Sequence, residues 1–312
     1  MNRSYPNPVY PGTFADPGVL AVDGTWYAYG TNGPDGNVPL LVSTDLVRWE
    51  RRGDVLPRLG RWARPGRTWA PEVLRSGAGW YVMYYTARSA RHGVQCVGRA
   101  VAATPDGPFL DDADEPMVAQ VAAGGSIDAS PFRDATGAYL YWKNDGNAVG
   151  APTSLWGQRL SADGLTLLDG PVRLLGNHAR WHGAVVEAPF LYARDGRYYL
   201  FYSGNAFDSD RYAVGYARCD TPLGPCHDAP ENPVLRTAAT AAGPGHCSVV
   251  DGPDGGSWML YHAWPPGAVG AASPGRQLWL SRIRWDGDRP VVDRPAPAGP
   301  APRPATGEAR RR

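Results

Sequence analysis

Lysine is almost missing from this chain. Lys143 is the only one, and arginine supplies the rest of the 31 basic residues, a bias that reads as coding preference and not as function. Acidic residues number 30, which leaves a formal net charge of +1. Without an excess of positive charge there is no electrostatic case for nucleic acid or an anionic membrane surface as partner. Long hydrophobic runs are absent too, and a transmembrane helix would need about 18 or more consecutive apolar residues. The four cysteines, Cys96, Cys219, Cys226 and Cys247, include no CxxC pair, which argues against a zinc site. Cys219 and Cys226 flank a turn at 220–225. Those positions suit either a bridge in an oxidising compartment or two free buried thiols. Residues 1–6 lead straight into polar, Pro-rich chain with no apolar leader. The expectation is a cytoplasmic protein, or a secreted one if a leader has been removed. Helical periodicity is nearly absent as well.

What is present points to strands. Hydrophobic residues make up 43% of the 312, enough for a real core, and Gly 39 with Pro 31 supplies turns without any Gly-X-Y period. This length suits two ordinary domains or one large all-β or barrel domain. Trp 12 and Tyr 16 dominate the aromatics. Both suit stacking on sugars, and both suit β-sheet cores.

One unit recurs along the chain: a short motif, an apolar strand, a Gly-containing turn and an aromatic strand. The copies start at Asp16, Ala70, Asp128, Glu187 and His246 when the aromatic strands are aligned, separated by 54, 58, 59 and 59 residues. Asp23-Gly24, Thr136-Gly137 and Asp195-Gly196 carry hairpin chemistry. A period of this size, with room for about four strands per unit, predicts an all-β fold, a five-bladed β-propeller. The propeller is expected to occupy residues 1–293. The Pro-, Ala- and Arg-rich tail 294–312 is expected to be disordered.

In a propeller, equivalent positions face one central funnel. Three carboxylates and an imidazole at the five starts are not what a structural repeat needs, because unpaired buried charge is costly. Converging carboxylates suit a metal cage or cleavage of a glycosidic bond, which takes one acid for the leaving oxygen and one base for water. A third carboxylate raises the acid's pKa by like-charge repulsion. Phe14, Trp69, Trp142 and Trp181 near these starts suggest the aromatic walls of a sugar pocket.

Several segments carry a resemblance. They are Asn7-Pro8-Val9 with Phe14-Ala15-Asp16-Pro17, Trp69-Ala70-Pro71-Glu72-Val73, Ile127-Asp128-Ala129-Ser130, Val186-Glu187-Ala188-Pro189, Gly243-Pro244-Gly245-His246 and Arg276-Gln277-Leu278-Trp279. In order and at blade spacing, from residue 7 to about 292, they resemble glycoside hydrolase family 43, which holds five-bladed arabinofuranosidases and xylosidases. The resemblance implies Asp16 as general base, Glu187 as general acid, and Asp128 as the third acid that keeps Glu187 protonated and oriented. It implies inversion at the anomeric carbon, which needs a base–acid gap of about 6.5–9.5 Å. It implies Arg276 in the first subsite and His246 facing a calcium or sodium ion on the axis, with no organic cofactor. Phe14 and Trp69 are the candidate stacking wall. Cys96-Val97-Gly98, Trp142-Lys143-Asn144-Asp145-Gly146-Asn147 and Leu223-Gly224-Pro225-Cys226 resemble a bacterial branch of exo-acting arabinofuranosidases.

His182 and Ser281 depart from the family pattern, which expects acidic residues there. The length leaves no room for the sandwich or sugar-binding module common in the family, which implies short soluble oligosaccharides as substrate. The expected activity is exo-release of α-L-arabinofuranose from arabinan or arabinoxylan fragments, with β-D-xylosidase close behind. The competitor of another class is a non-catalytic carbohydrate-binding propeller. A glycoside phosphorylase would need a basic phosphate cluster that Arg276 alone does not supply.

Overall fold

The structure, a computed structural model, describes residues 4–302. Strand β1 (Ser4–Pro6) precedes the first blade, which is β2 (Gly18–Val22), β3 (Thr25–Tyr29), β4 (Pro39–Ser43) and β5 (Glu50–Asp54). Blade 2 is β6 (Ala63–Arg75), β7 (Tyr81–Ser89) and β8 (Gln95–Ala102). Blade 3 is β9 (Ser126–Asp134), β10 (Gly137–Asn144), β11 (Ser154–Leu160) and β12 (Leu167–Gly176). Blade 4 is β13 (Val186–Arg194), β14 (Arg197–Gly204), β15 (Ala213–Cys219) and β16 (Cys226–Asp228). Blade 5 is β17 (Ala242–Asp251), β18 (Ser257–Trp264), β19 (Gln277–Asp286) and β20 (Arg289–Val292), and β21 (Ala298–Pro300) follows it. Each blade is an antiparallel meander in chain order, and together they form the five-bladed propeller expected from the repeat. Blade 2 has no regular fourth strand. Val97 and Val101 bridge instead to Val118 and Leu110 of an irregular outer segment. Among the described residues no helix is long and apolar enough to cross a membrane.

Local chemistry sets the hairpins. Asp23 and Gly24 both take positive φ, 48° and 77°, between the paired Val22 and Thr25. This is the two-residue turn whose twist matches the strands. Asp195-Gly196 does the same between Arg194 and Arg197. In blade 3 the expected Thr136-Gly137 turn is shifted by one: Gly137 already pairs with Asp134, so Ala135-Thr136 makes the turn.

The aromatic strands are buried on both faces because each lies between two neighbouring blades. Along β14, Tyr199 and Phe201 join the apolar wedge against blade 5, while Leu200 and Tyr202 join the wedge against blade 3. The core is therefore five wedges, one at each blade junction. Each fully buried large apolar side chain adds about 1.5–3 kcal/mol relative to exposure.

Among the described residues no strand is shared between blade 1 and blade 5. That seam closes through the segment before β2, which laps onto β19. Asn7 accepts from the Leu280 amide at 3.0 Å and donates to the Leu280 carbonyl at 2.8 Å. The Tyr5 hydroxyl donates to the same carbonyl at 2.9 Å, and the Phe14 amide donates to the Arg276 carbonyl at 2.7 Å.

The expected disorder from residue 294 onward does not hold for 294–302. Strand β21 pairs with β1, and the carbonyls of Pro295 and Pro297 accept from Thr240 Oγ1 and the Asn7 amide, both at 2.9 Å. Proline lacks a donor but keeps its acceptor, so a Pro-rich segment can still dock on an anchored partner. The rest of the tail, 303–312, lies outside the described residues. Cys219 and Cys226 are disulfide-bonded across the β15–β16 hairpin, while Cys96 and Cys247 are free and buried.

Candidate active site

Every blade bends its innermost chain at the same place. Asp16, Ala70, Asp128, Ala188 and His246 take φ of 54°, 44°, 57°, 53° and 49°, in the left-handed region. In blades 2 to 5 the ladder skips at this residue and the one after it. Such a bulge re-aims side chains. The backbone thus makes Ala188, not Glu187, the equivalent of Asp16 and Asp128. The adjacent tyrosines 198 and 199 misled the alignment by one: Lys143 pairs with Ile127 and Ser203 with Glu187, so Tyr199 is the counterpart of Tyr139.

The amides of these bent residues are tied across the blade junctions. Ala70 N–H donates to Thr31 Oγ1 at 3.0 Å and Asp128 N–H to Thr86 Oγ1 at 3.2 Å. His246 N–H donates to Ser203 Oγ at 2.9 Å, and Asp16 N–H to His262 Nδ1 at 3.2 Å. Each acceptor belongs to the preceding blade. Burial pushes the His262 imidazole down to about 4, so it is neutral and able to accept. The fifth tie differs: Ala188 N–H donates to Asp128 Oδ2 at 3.0 Å.

This geometry brings the three predicted acids around one cavity of about 370 Å³. Asp16 Oδ1 accepts from Arg276 at 2.6 Å, Oδ2 accepts from Thr31 at 2.6 Å, and His246 Nδ1 stands 3.4 Å from Oδ1. Burial would raise this carboxyl, but the Arg276 guanidinium, with His246 beside it, holds it well below the usual carboxylate range. Asp128 is pushed the other way, up to about 6. Burial is the main cause and the neighbouring Glu187 charge adds to it, against His246 and Lys143. Glu187 Oε1 accepts from the Tyr212 hydroxyl at 2.8 Å, and Oε2 pairs with Lys143 Nζ at 3.1 Å. Lys143 also lies 3.5 Å from Asp145 Oδ1.

Trp69, Arg276 and His246 line the cavity. Phe14 does not. It is 2% exposed in the wedge between blades 5 and 1, with its ring against Gly30. An aromatic two residues before a functional acid is here a core residue, because the bend at Asp16 turns the preceding chain into the wedge. Trp142 is buried with its indole donating to Gln120, and Trp181 lies over Gly204 and Gly215. His182 is buried, neutral through burial, and bonded to Tyr202 at 3.0 Å. Ser281 meets the Tyr261 hydroxyl at 3.1 Å.

Sequence reasoning missed Phe207 and gave no role to Tyr212. Phe207 is 44% exposed, lines the cavity, and lies under the Arg276 guanidinium at 4.8 Å. A lone aromatic in the polar loop 205–211 was its only signal.

The calcium or sodium ion expected at His246 finds little to hold it. Hard cations take several oxygen ligands. His246 offers one nitrogen that already faces Asp16, and no group of three or more ligating side chains occurs among the described residues.

The description "Glycosyl hydrolases family 43" matches residues 5–290. A solved structure described as a thermostable family-43 glycoside hydrolase superposes with a TM-score of 0.85 at 29% identity, covering 96% of this chain and 99% of that one. A β-D-galactofuranosidase of Aspergillus niger is 28% identical over 277 residues, 84% of this chain and 77% of that protein. A xylosidase/arabinosidase of Butyrivibrio fibrisolvens is 26% identical over 308 residues, 92% of this chain and 56% of that protein.

Proposed function

Because the chain belongs to the family 43 glycosyl hydrolases, and so hydrolyses glycosidic bonds, we propose that it is an inverting exo-enzyme releasing terminal α-L-arabinofuranose from short arabinan or arabinoxylan oligosaccharides. One observation carries the reading: three buried carboxylates share a cavity but live in different electrostatic surroundings. Asp16 is kept ionised by Arg276 and is the base. Glu187 takes the general-acid role that the family resemblance gives it, and Asp128, held on the Ala188 amide, sits beside it. Environments that push neighbouring carboxyls apart define acid and base roles.

In the reaction, Asp16 takes a proton from water as its oxygen attacks the anomeric carbon. The bond to the leaving oxygen breaks, its electron pair stays on that oxygen, and Glu187 supplies the proton. The cycle leaves Asp16 protonated and Glu187 ionised. Exchange with solvent restores both, so one water is consumed. Direct attack without a covalent intermediate inverts the sugar.

A cavity of about 370 Å³ is at the small end for ligand sites, which supports one terminal sugar over a long bound chain. The A. niger relative, named for a furanoside substrate, supports a five-membered ring. The B. fibrisolvens relative, named for both sugars, keeps β-D-xyloside as the second reading. The Cys219–Cys226 bridge supports an oxidising compartment as the place of action.

The test is hydrolysis of aryl α-L-arabinofuranoside, aryl β-D-xyloside and the matching oligosaccharides, with the anomer of the released sugar followed by NMR. Arabinose released first in the inverted form is the expected result. Retention would overturn the mechanism. Binding without release from any substrate would favour the non-catalytic propeller.

A further inference from the structure

Four blade junctions follow one rule, and the fifth breaks it at a single residue. On the second strand of blades 2, 4 and 5, Thr86, Ser203 and His262 pair with Trp69, Glu187 and Gly245, and each accepts the next blade's bent amide. Thr31 does the same work from blade 1. In blade 3 this place is taken by Lys143, paired with Ile127. An ammonium has no lone pair and accepts nothing. The Ala188 amide therefore turns to Asp128, and the lysine is free to enter the cavity. The chain's only lysine is 0% exposed, 3.1 Å from Glu187 and 3.5 Å from Asp145.

We propose that Lys143 is a positioning residue for the general acid: its ammonium fixes the Glu187 carboxyl between itself and Tyr212, and stabilises the carboxylate left when the proton goes to the departing oxygen. This rests on the reading of Glu187 as that acid. The balance is simple. The proton leaves Glu187, the glycosidic C–O electron pair goes to the leaving oxygen, and Lys143 keeps its own proton throughout. Burial alone would pull the lysine proton off, but Glu187, Asp128 and Asp145 outweigh burial and hold it on.

The other charged groups do not replace it. Glu187 is faced by Asp145 from the loop after β10, by Asp128 from β9 and by Tyr212 from the loop before β15. The Arg276 guanidinium is committed to Asp16, 2.6 Å from its Oδ1. The gain is a stronger acid for poor leaving groups. The cost is that the acid loses its proton at lower pH.

The test compares wild type with Lys143→Thr, Lys143→Arg and Glu187→Ala. Threonine restores the acceptor found at the blade 1 and blade 2 positions, so its melting temperature reports on folding separately. Each protein is assayed from pH 4 to 9 on aryl glycosides with good and poor leaving groups. For Lys143→Thr, turnover should fall about 10-fold or more on poor leaving groups and little on dinitrophenyl ones. The alkaline limb of kcat should move up by about one pH unit. Lys143→Arg should keep the limb near its wild-type position. An unmoved limb in Lys143→Thr, with equal losses on all leaving groups, would overturn the proposal while leaving Glu187 as the acid. Equal losses on all leaving groups in Glu187→Ala would instead overturn the acid assignment, and the lysine role with it.

Discussion

Asp16 and Asp128 occupy the same bent backbone position in different blades, both buried, yet their protons are held in opposite ways. The difference lies in the neighbours: a guanidinium at 2.6 Å for Asp16, and another carboxylate beside Asp128. Asp16→Asn should lower kcat by about 10²–10⁴-fold, the share usual for a general base, measured on the poor-leaving-group substrate. The depressed Asp16 carboxyl contributes stability above the unfolded value near pH 4, and that contribution is lost as pH falls through the folded value. Asp128 works in the other direction. Its folded state holds a proton up to about pH 6, so stability declines as pH rises from about 4 to 6. Asp128→Asn should remove that decline and be more stable than wild type at pH 7 by on the order of 1–2 kcal/mol, while losing most activity. Urea midpoints at pH 4 and pH 7 check this, and an equal change at both would contradict it. The three acids were legible in the sequence because each sits in a short motif with Pro, Ala or Ser. Phe207 was not, because it reaches the cavity from a loop with no repeat partner.

At the scale of the element, the bent inner strand does the organising. It places a left-handed residue where most side chains resist one, and a side chain from the preceding blade accepts its amide. Thr86→Val should leave the Asp128 amide buried without its partner. The expected cost is about 1–3 kcal/mol, read from denaturant midpoints, together with a lower kcat because Asp128 loses an anchor. Unchanged stability would show that the tie carries little. Ser203→Ala tests the His246 amide in the same way. The strands and their turns were legible from alternation and Asp-Gly pairs. The bulge was not, since hydrophobic pattern counts residues and a bulge changes the count without changing the pattern. Glu187 seemed equivalent to Asp128 for a different reason: the adjacent tyrosines 198 and 199 offset the aromatic alignment by one, and Ala188 is the true counterpart.

For the whole molecule, the repeat period was enough to give five blades, because each must cover its neighbours' apolar faces to bury its own. Closure was not legible. Nothing in the composition of 294–302 indicates that it meets residues 4–7, and Phe14 looked like a pocket wall when it fills the closing wedge. Asn7→Ala removes two hydrogen bonds to Leu280 across the seam. Its melting temperature should fall by several degrees, as a loss of about 2 kcal/mol implies for a chain of this size. Activity should be lost at a lower temperature than strand structure, as followed by circular dichroism, since Asp16 and Arg276 meet across the same seam. Coincident losses would place the weak point elsewhere. The pairing of residues 16 and 276 also bears on biosynthesis. A polypeptide still emerging from the ribosome, or one cut short before its final sheet, contains Asp16, Asp128 and Glu187 but lacks Arg276, the guanidinium that keeps its water-activating group charged. Catalytic competence should therefore switch on only with the last stretch of synthesis, and released sugar would serve as a readout of completed chains.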